Sequence, residues 1–238
     1  MRLNFDNERV LAVMAHPDDA ELLCAGTLAR AKADSAVIGI CVMCRGDKGV
    51  PPGDGIIDVA EVRRNEAQQA ADLLGASLLW FGSGDGELAD TTENRRRLVA
   101  LYHEFRPTLV LAHAAEDYHP DHRAAGVLAE ATTWFAASRG HATAGAEPLD
   151  QPPALWWCDT IDTSDFQPEF YVHVTAQMDL KRRMLACHRS QLDRAGDGGF
   201  PPLAELLDRR SASRGAQSGV TAAEAFRNHH AFKRLRAW

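Results

Sequence analysis

The sequence predicts an α/β protein whose mostly parallel sheet is covered by helices on both faces. Three observations carry this. Short continuous apolar runs without helical spacing, at residues 10–15 and 36–43, have the character of strands buried on both faces. Stretches with apolar residues at helical intervals alternate with them, as in β-α-β units. The chain has 238 residues, 45% hydrophobic and 25% charged, which suffices for a large core and excludes disorder or coiled coil as its main character.

The elements follow in order. After the first strand, residues 21–33 place Leu22, Leu23 and Leu28 at helical intervals, and residues 36–43 return to strand. Residues 59–74 form the next helix, with Val62, Leu73 and Leu74 apolar and Gly75 as its stop signal. A strand is expected over 77–81, a helix over 94–105 halted before Pro107, a strand over 108–112 and a helix over 123–137. Residues 139–153, rich in Ala, Gly and Pro, form a surface loop. Strands follow at 155–158 and 170–174, then a helix over 176–188 through Met178, Lys181, Met184 and Leu185. Residues 193–219 are polar and glycine-bearing, in the manner of a lid or a subunit contact. The alternation is Rossmann-like in the broad sense, and residues 1–238 are expected to form a single domain.

Charge and cysteine usage narrow the function. Twenty-six Lys and Arg against 33 Asp and Glu leave a formal charge of -7, which repels phosphate backbones and anionic membranes. Nucleic acid and membrane are therefore not expected partners. Five cysteines, an odd number, do not form a disulfide framework, and the first nine residues lack a basic lead-in to an apolar signal, so a cytoplasmic location is expected. Cys41 and Cys44 lie three apart in a strand and point to opposite faces, which favours core packing over a redox or zinc pair. The glycine-bearing stretch 45–55 lacks the Lys-Ser/Thr ending of a phosphate loop, and Gly26 alone is no dinucleotide fingerprint.

Chemistry concentrates at two strand-to-helix junctions, the sheet edge where open parallel sheets bind ligands. At the first, His16-Pro17-Asp18-Asp19-x-Glu21 offers an imidazole and a carboxylate to a metal and leaves a carboxylate for proton transfer. An aspartate capping the helix accounts for one of the two carboxylates and leaves the other, and His16, unexplained. At the second, His119-Pro120-Asp121-His122 spaces two histidines i, i+3, so that one can bind metal while the other faces a reacting group.

These motifs resemble the PIG-L/LmbE-like zinc N-deacetylases, which remove acetyl groups from N-acetylglucosamine-type compounds. Arg45-Gly46-Asp47-Lys48-Gly49, Arg63-x-x-Glu66, Asp85-Gly86-Glu87-Leu88, Lys181 through His188-x-Ser190-Gln191, and Glu224-Ala225-Phe226-Arg227 extend the resemblance over nearly the whole chain. It implies that His16, Asp19 and His122 hold zinc, with a position left open for water. Asp18 is implied as general base, His119 as stabiliser of the oxyanion if protonated, and Asp121 as the residue that orients His119. The implied partner is a small N-acetylated amino sugar or glycoconjugate, and the implied assembly a homo-oligomer. Arg45 and Asp85 are candidates for sugar hydroxyls, Arg63 and Glu66 for an ion pair along their helix, and His188 for an approach to the site from the late helix. Three alternatives remain: an amidase for a larger thiol-conjugate amide, a non-catalytic metal- or sugar-binding module, and a dinucleotide oxidoreductase, which would need glycines where this chain has His-Pro-Asp-Asp.

Overall fold

The computed structural model describes residues 4–49, 55, 58–142, 145–192 and 202–231. Among the described residues, seven strands form one sheet in the order β3-β2-β1-β4-β5-β7-β6. Strands β1 (Arg9–Met14), β2 (Val37–Cys44), β3 (Ser77–Ser83), β4 (Leu109–His113) and β5 (Ala154–Cys158) run parallel, and β7 (Ala223–Asn228) lies antiparallel between β5 and β6 (Phe170–His173). The order reverses at β1, so a crevice opens between the carboxyl ends of β1 and β4. Helices cover both faces, and the apolar strand residues divide between two buried clusters. Val10, Ala12, Met14, Ile38 and Ile40 belong to one, Leu11, Val13, Cys41 and Val110 to the other. This is the period of two expected of strands covered on both sides.

The early helices follow the capping chemistry. Helix α3 (Val59–Leu74) starts at Asp58, whose side chain accepts from the Glu61 N–H, and ends at Gly75 with φ 71°. Helix α4 (Thr92–Phe105) begins two residues before its expected start because Thr91 caps it, and α5 (Pro120–Phe135) begins at the His-Pro pair itself. The helix expected over 21–33 is instead two, α1 (Asp19–Leu23) and α2 (Ala25–Ala33), broken at Cys24. The cause lies far along the chain. The buried Glu224 carboxylate accepts the N–H groups of Gly26 and Thr27 at 2.8 and 2.7 Å and so caps α2 from β7. Lys181, fully buried, neutralises Glu224 at 2.5 Å.

The late chain departs most from expectation. The single helix expected over 176–188 is a 3₁₀ turn at Thr175–Gln177, then α6 (Met178–Leu185) and α7 (Arg189–Leu192). Ser190 donates its N–H and hydroxyl to Glu66 at 2.8 and 2.7 Å, which pulls α7 onto α3. Within the stretch 193–219, residues 193–201 lie outside the described residues, and α8 (Leu203–Ser218) is a helix fastened to the sheet. Its Arg214 forks onto the buried Asp159 after β5 at 2.7 and 2.8 Å, and Arg210 joins at 3.3 Å. Strand β7 lies outside the expected elements, because small residues and a buried glutamate obscure its alternation. Among the described residues no helix is long and apolar enough to cross a membrane. All five cysteines are free. Burial pushes the Cys41 thiol up to about 12, and Cys44 is pushed up as well, first by burial and then by nearby carboxylates, so both are packing residues.

Candidate metal centre and active site

Strand β1 delivers Ala15 and His16 to the carboxyl edge of the sheet, and the chain turns there through Pro17 and Asp18. Asp18 has φ 104° and ψ -21°, a conformation that costs a non-glycine residue about 1–3 kcal/mol. Its side chain makes no capping hydrogen bond, so capping does not explain it. Asp18 Oδ2 instead accepts from Arg63 Nη2 at 3.0 Å. Asp19 Oδ2 accepts the His16 N–H at 2.7 Å and thereby tightens the turn.

Three donor atoms converge. His16 Nδ1 lies 3.2 Å from His122 Nε2 and 3.6 Å from Asp19 Oδ2, and His122 Nε2 lies 3.4 Å from Asp19 Oδ2. A tetrahedral ion with arms of about 2.0–2.1 Å places its ligands about 3.3 Å apart, so this triangle has the dimensions of one tetrahedral face. The remaining ring nitrogens are spoken for: His16 Nε2 meets Asp121 Oδ2 at 3.2 Å, and His122 Nδ1 meets Asp117 Oδ1 at 2.9 Å. Such carboxylate partners fix the tautomer and direct the free lone pair at the ion.

The electrostatics agree. Burial by itself would lower the pKa of His16, yet hydrogen bonds with Asp121 and Asp19 raise it to about 10. Burial would raise Asp19, but the neighbouring His122 and His113 hold its carboxyl well below the usual range. The cluster stabilises positive charge at its centre, whether carried by a proton or by a cation. The donor set and spacing therefore suit a divalent ion.

The structure places the other expected residues as follows. His119 caps α5: its Nδ1 accepts from the Asp121 N–H at 3.2 Å, and its ring lies 4.8 Å from that of His16 at the cavity wall. Burial, then positive charge on His16 and His122, lowers its pKa, so it faces the cavity as a neutral ring with the proton on Nε2. The expectation that Asp121 orients His119 through its carboxylate is corrected, since that carboxylate takes His16 and the Gly86 N–H at 2.7 Å. Asp85 lines the cavity while accepting the N–H groups of Gly46 and Lys48 at 2.8 and 3.1 Å. Arg45 lies outside the cavity lining and pairs with Asp47 at 3.4 Å. His188, in the link between α6 and α7, is fully buried against Glu21 at 3.3 Å and does not line the cavity.

Arg63 takes the place expected for Arg45. Rather than pairing with Glu66, its guanidinium lies in the cavity wall and donates to Pro17 O at 2.6 Å, Gly46 O at 3.3 Å and Asp18. Gly46 and Gly49 make room for it, because a Cβ there would lie 2.6 and 2.4 Å from Arg63 side-chain atoms. The glycines of that loop were the available signal. Two further residues escaped the sequence reading. His113 ends β4, stacks on His122 at a centroid distance of 4.1 Å, and places Nε2 3.2 Å from Asp19 Oδ2. Asp117 holds His122 Nδ1, the His119 N–H at 3.0 Å and the Ile161 N–H at 3.2 Å. The cavity above the triangle measures about 660 Å³.

Fold and site together define an α/β protein with a candidate His-Asp-His metal site at the switch point of a mostly parallel sheet. The chain belongs to the PIG-L (GlcNAc-PI de-N-acetylase) family, whose model matches residues 11–133. It is 27% identical over 196 residues to the diacetylchitobiose deacetylase of Thermococcus kodakarensis, covering 78% of this chain and 71% of that one. It is also 27% identical over 197 residues to the 4-oxalmesaconate hydratase of Pseudomonas putida, covering 79% and 76%. Among solved structures it superposes on the conserved protein TT1542 of Thermus thermophilus with a TM-score of 0.80 and 33% identity, covering 97% of each chain.

Proposed function

We propose that this protein is a zinc-dependent N-deacetylase that hydrolyses the acetamide of an N-acetylated amino sugar or related small glycoconjugate. The observation that carries the reading is the triangle of His16 Nδ1, Asp19 Oδ2 and His122 Nε2, with the Asp18 carboxylate beside it and free of capping duty. A zinc ion held by His16, Asp19 and His122 would supply an activated water, its pKa lowered towards about 7, and a Lewis acid for the amide carbonyl. Burial pushes the Asp18 carboxyl up, partly offset by Arg63, which strengthens it as a base towards the attacking water. His119, through Nε2–H, donates to the carbonyl oxygen as that atom gains charge. With His119 held for the oxyanion, Asp18 returns the proton it took from water to the departing amine. Asp85 and Lys48, which line the cavity, are the residues this reading assigns to sugar hydroxyls.

A hydratase reading, suggested by the Pseudomonas relative, fits the cavity less well. Addition of water to a carboxylate-bearing alkene calls for unpaired cations, whereas the lining holds Asp18, Asp19, Asp85 and Asp121 against Lys48 and an Arg63 engaged by Asp18. The deciding experiment measures acetate released from a panel of N-acetyl amino sugars, with and without chelator, alongside metal analysis. Asp18→Ala should retain fold and zinc while losing at least about 100-fold in turnover. Retained activity in that variant removes Asp18 from the mechanism. A cytoplasmic location and a homo-oligomeric state belong to the same proposal, and sedimentation of the purified protein tests the latter.

A further inference from the structure

The cavity is two-sided, and its sides follow the order of the sheet. On the β2 and β3 side the lining is polar: Lys48, Asp85 and Gly86 from the loops after those strands. The donor triangle stands at the ends of β1 and β4. Beyond it, on the β5 and β7 side, the lining is apolar: Ile161 from the loop after β5, and Leu203 and Leu206 from α8, which packs on β7, with Leu22 of α1 between. This apolar wall is held in place. Asp159, two residues before Ile161, grips Arg210 and Arg214, about one and two turns along α8 from Leu206, and all three are buried.

A trans amide sends its nitrogen substituent and its acyl substituent away from the carbonyl in opposite directions. With the carbonyl at the triangle and the sugar hydroxyls on the polar side, the acyl chain runs onto the apolar wall. An acetyl group, with a single methyl, leaves most of that wall uncovered. Resting on the deacetylase reading above, we propose that Leu22, Ile161, Leu203 and Leu206 form an acyl-chain subsite, and that the protein prefers amino sugars carrying N-acyl chains of about four to six carbons over N-acetyl ones. The reaction is unchanged in balance: water adds to the carbonyl carbon, the C–N bond breaks, and a free amine and a fatty carboxylate leave.

The test has two arms on the zinc-loaded protein. In the first, kcat/KM is measured for N-acetyl-, N-propanoyl-, N-butanoyl- and N-hexanoylglucosamine by the free amine released. Buried methylenes at the usual transfer value predict a rise of about fourfold per added carbon, and Leu206→Ala should reduce the hexanoyl-to-acetyl ratio. In the second, calorimetry compares binding of acetate, butanoate and hexanoate, a readout that requires no turnover. Cleavage of every amide with a flat or falling chain-length series overturns the subsite while the deacetylase reading stands. Tighter binding of hexanoate than acetate with no sugar amide cleaved sustains the subsite and defeats the deacetylase reading. Failure of both arms defeats both.

Discussion

Asp117 offers a sharp test of how the candidate metal centre is built, because its carboxylate offers no atom to the donor triangle and yet holds one of its members, His122, from behind. Oδ1 accepts from His122 Nδ1 at 2.9 Å and from the His119 N–H at 3.0 Å, while Oδ2 accepts the Ile161 N–H at 3.2 Å. All three partners are donors and the side chain is buried. Asp117→Asn keeps the shape and replaces one acceptor by an NH₂ group. If the amide oxygen stays on His122 and His119, the NH₂ faces the Ile161 N–H, and one buried donor goes unpaired at a cost of about 1–3 kcal/mol. At this chain length that corresponds to a fall in Tm of roughly 2–12 °C. The ligand loses more than a bond: without the carboxylate, His122 Nδ1–H is no longer polarised and Nε2 is a poorer donor to the ion. Loss of such a partner weakens metal affinity about 10- to 100-fold, or roughly 1.4–2.7 kcal/mol. Zinc affinity by competition with a chromophoric chelator, paired with the melting curve of the metal-free protein, reads both effects. A variant that melts lower but binds zinc within threefold of wild type would refute the claim that Asp117 acts on the metal through His122.

Other perturbations test the frame around the site. Lys181→Met removes the cation from a buried pair and should lower stability by about 3 kcal/mol, seen as a Tm lower by roughly 6–12 °C; an unchanged melting curve would show that the Glu224 cap on α2 needs no counter-charge. Gly126→Ala places a Cβ 2.4 Å from the His113 carbonyl oxygen, so the end of β4 must move and the ring stacked on His122 with it; zinc affinity and stability should fall together, the latter by about 1–3 kcal/mol, and a loss of stability alone would separate His113 from the centre. His188 is buried, which by itself lowers its pKa, but Glu21 beside it raises the pKa above the usual histidine value. The stabilisation from this pair is therefore complete below pH about 6.5 and lost as pH rises through the folded-state value, so metal-free wild type should lose more stability than His188→Gln between pH 6 and 9 in chemical denaturation. Parallel curves for the two proteins would contradict this.

What could be read along the chain was whatever depends on neighbours in sequence. Apolar runs and helical spacings located β1 to β4, α3 and the two strand-to-helix junctions, and helix α3 matches its expected bounds because both its stops, Asp58 and Gly75, act on residues within one turn. His16, Asp18, Asp19, His119, Asp121 and His122 were legible for the same reason, as residues compressed into two short motifs. Pairing across the fold was not. That the Asp121 carboxylate serves His16 rather than His119, that Arg63 reaches Asp18 rather than Glu66, and that Glu224 splits the first helix are contacts between residues about 45 to 200 positions apart. Local pattern carries no information on such partners. Whether a carboxylate finds an imidazole, a guanidinium or a bare helix end is decided by which donors the packed sheet leaves unsatisfied within 3 Å of it, and only the assembled tertiary structure sets that distance.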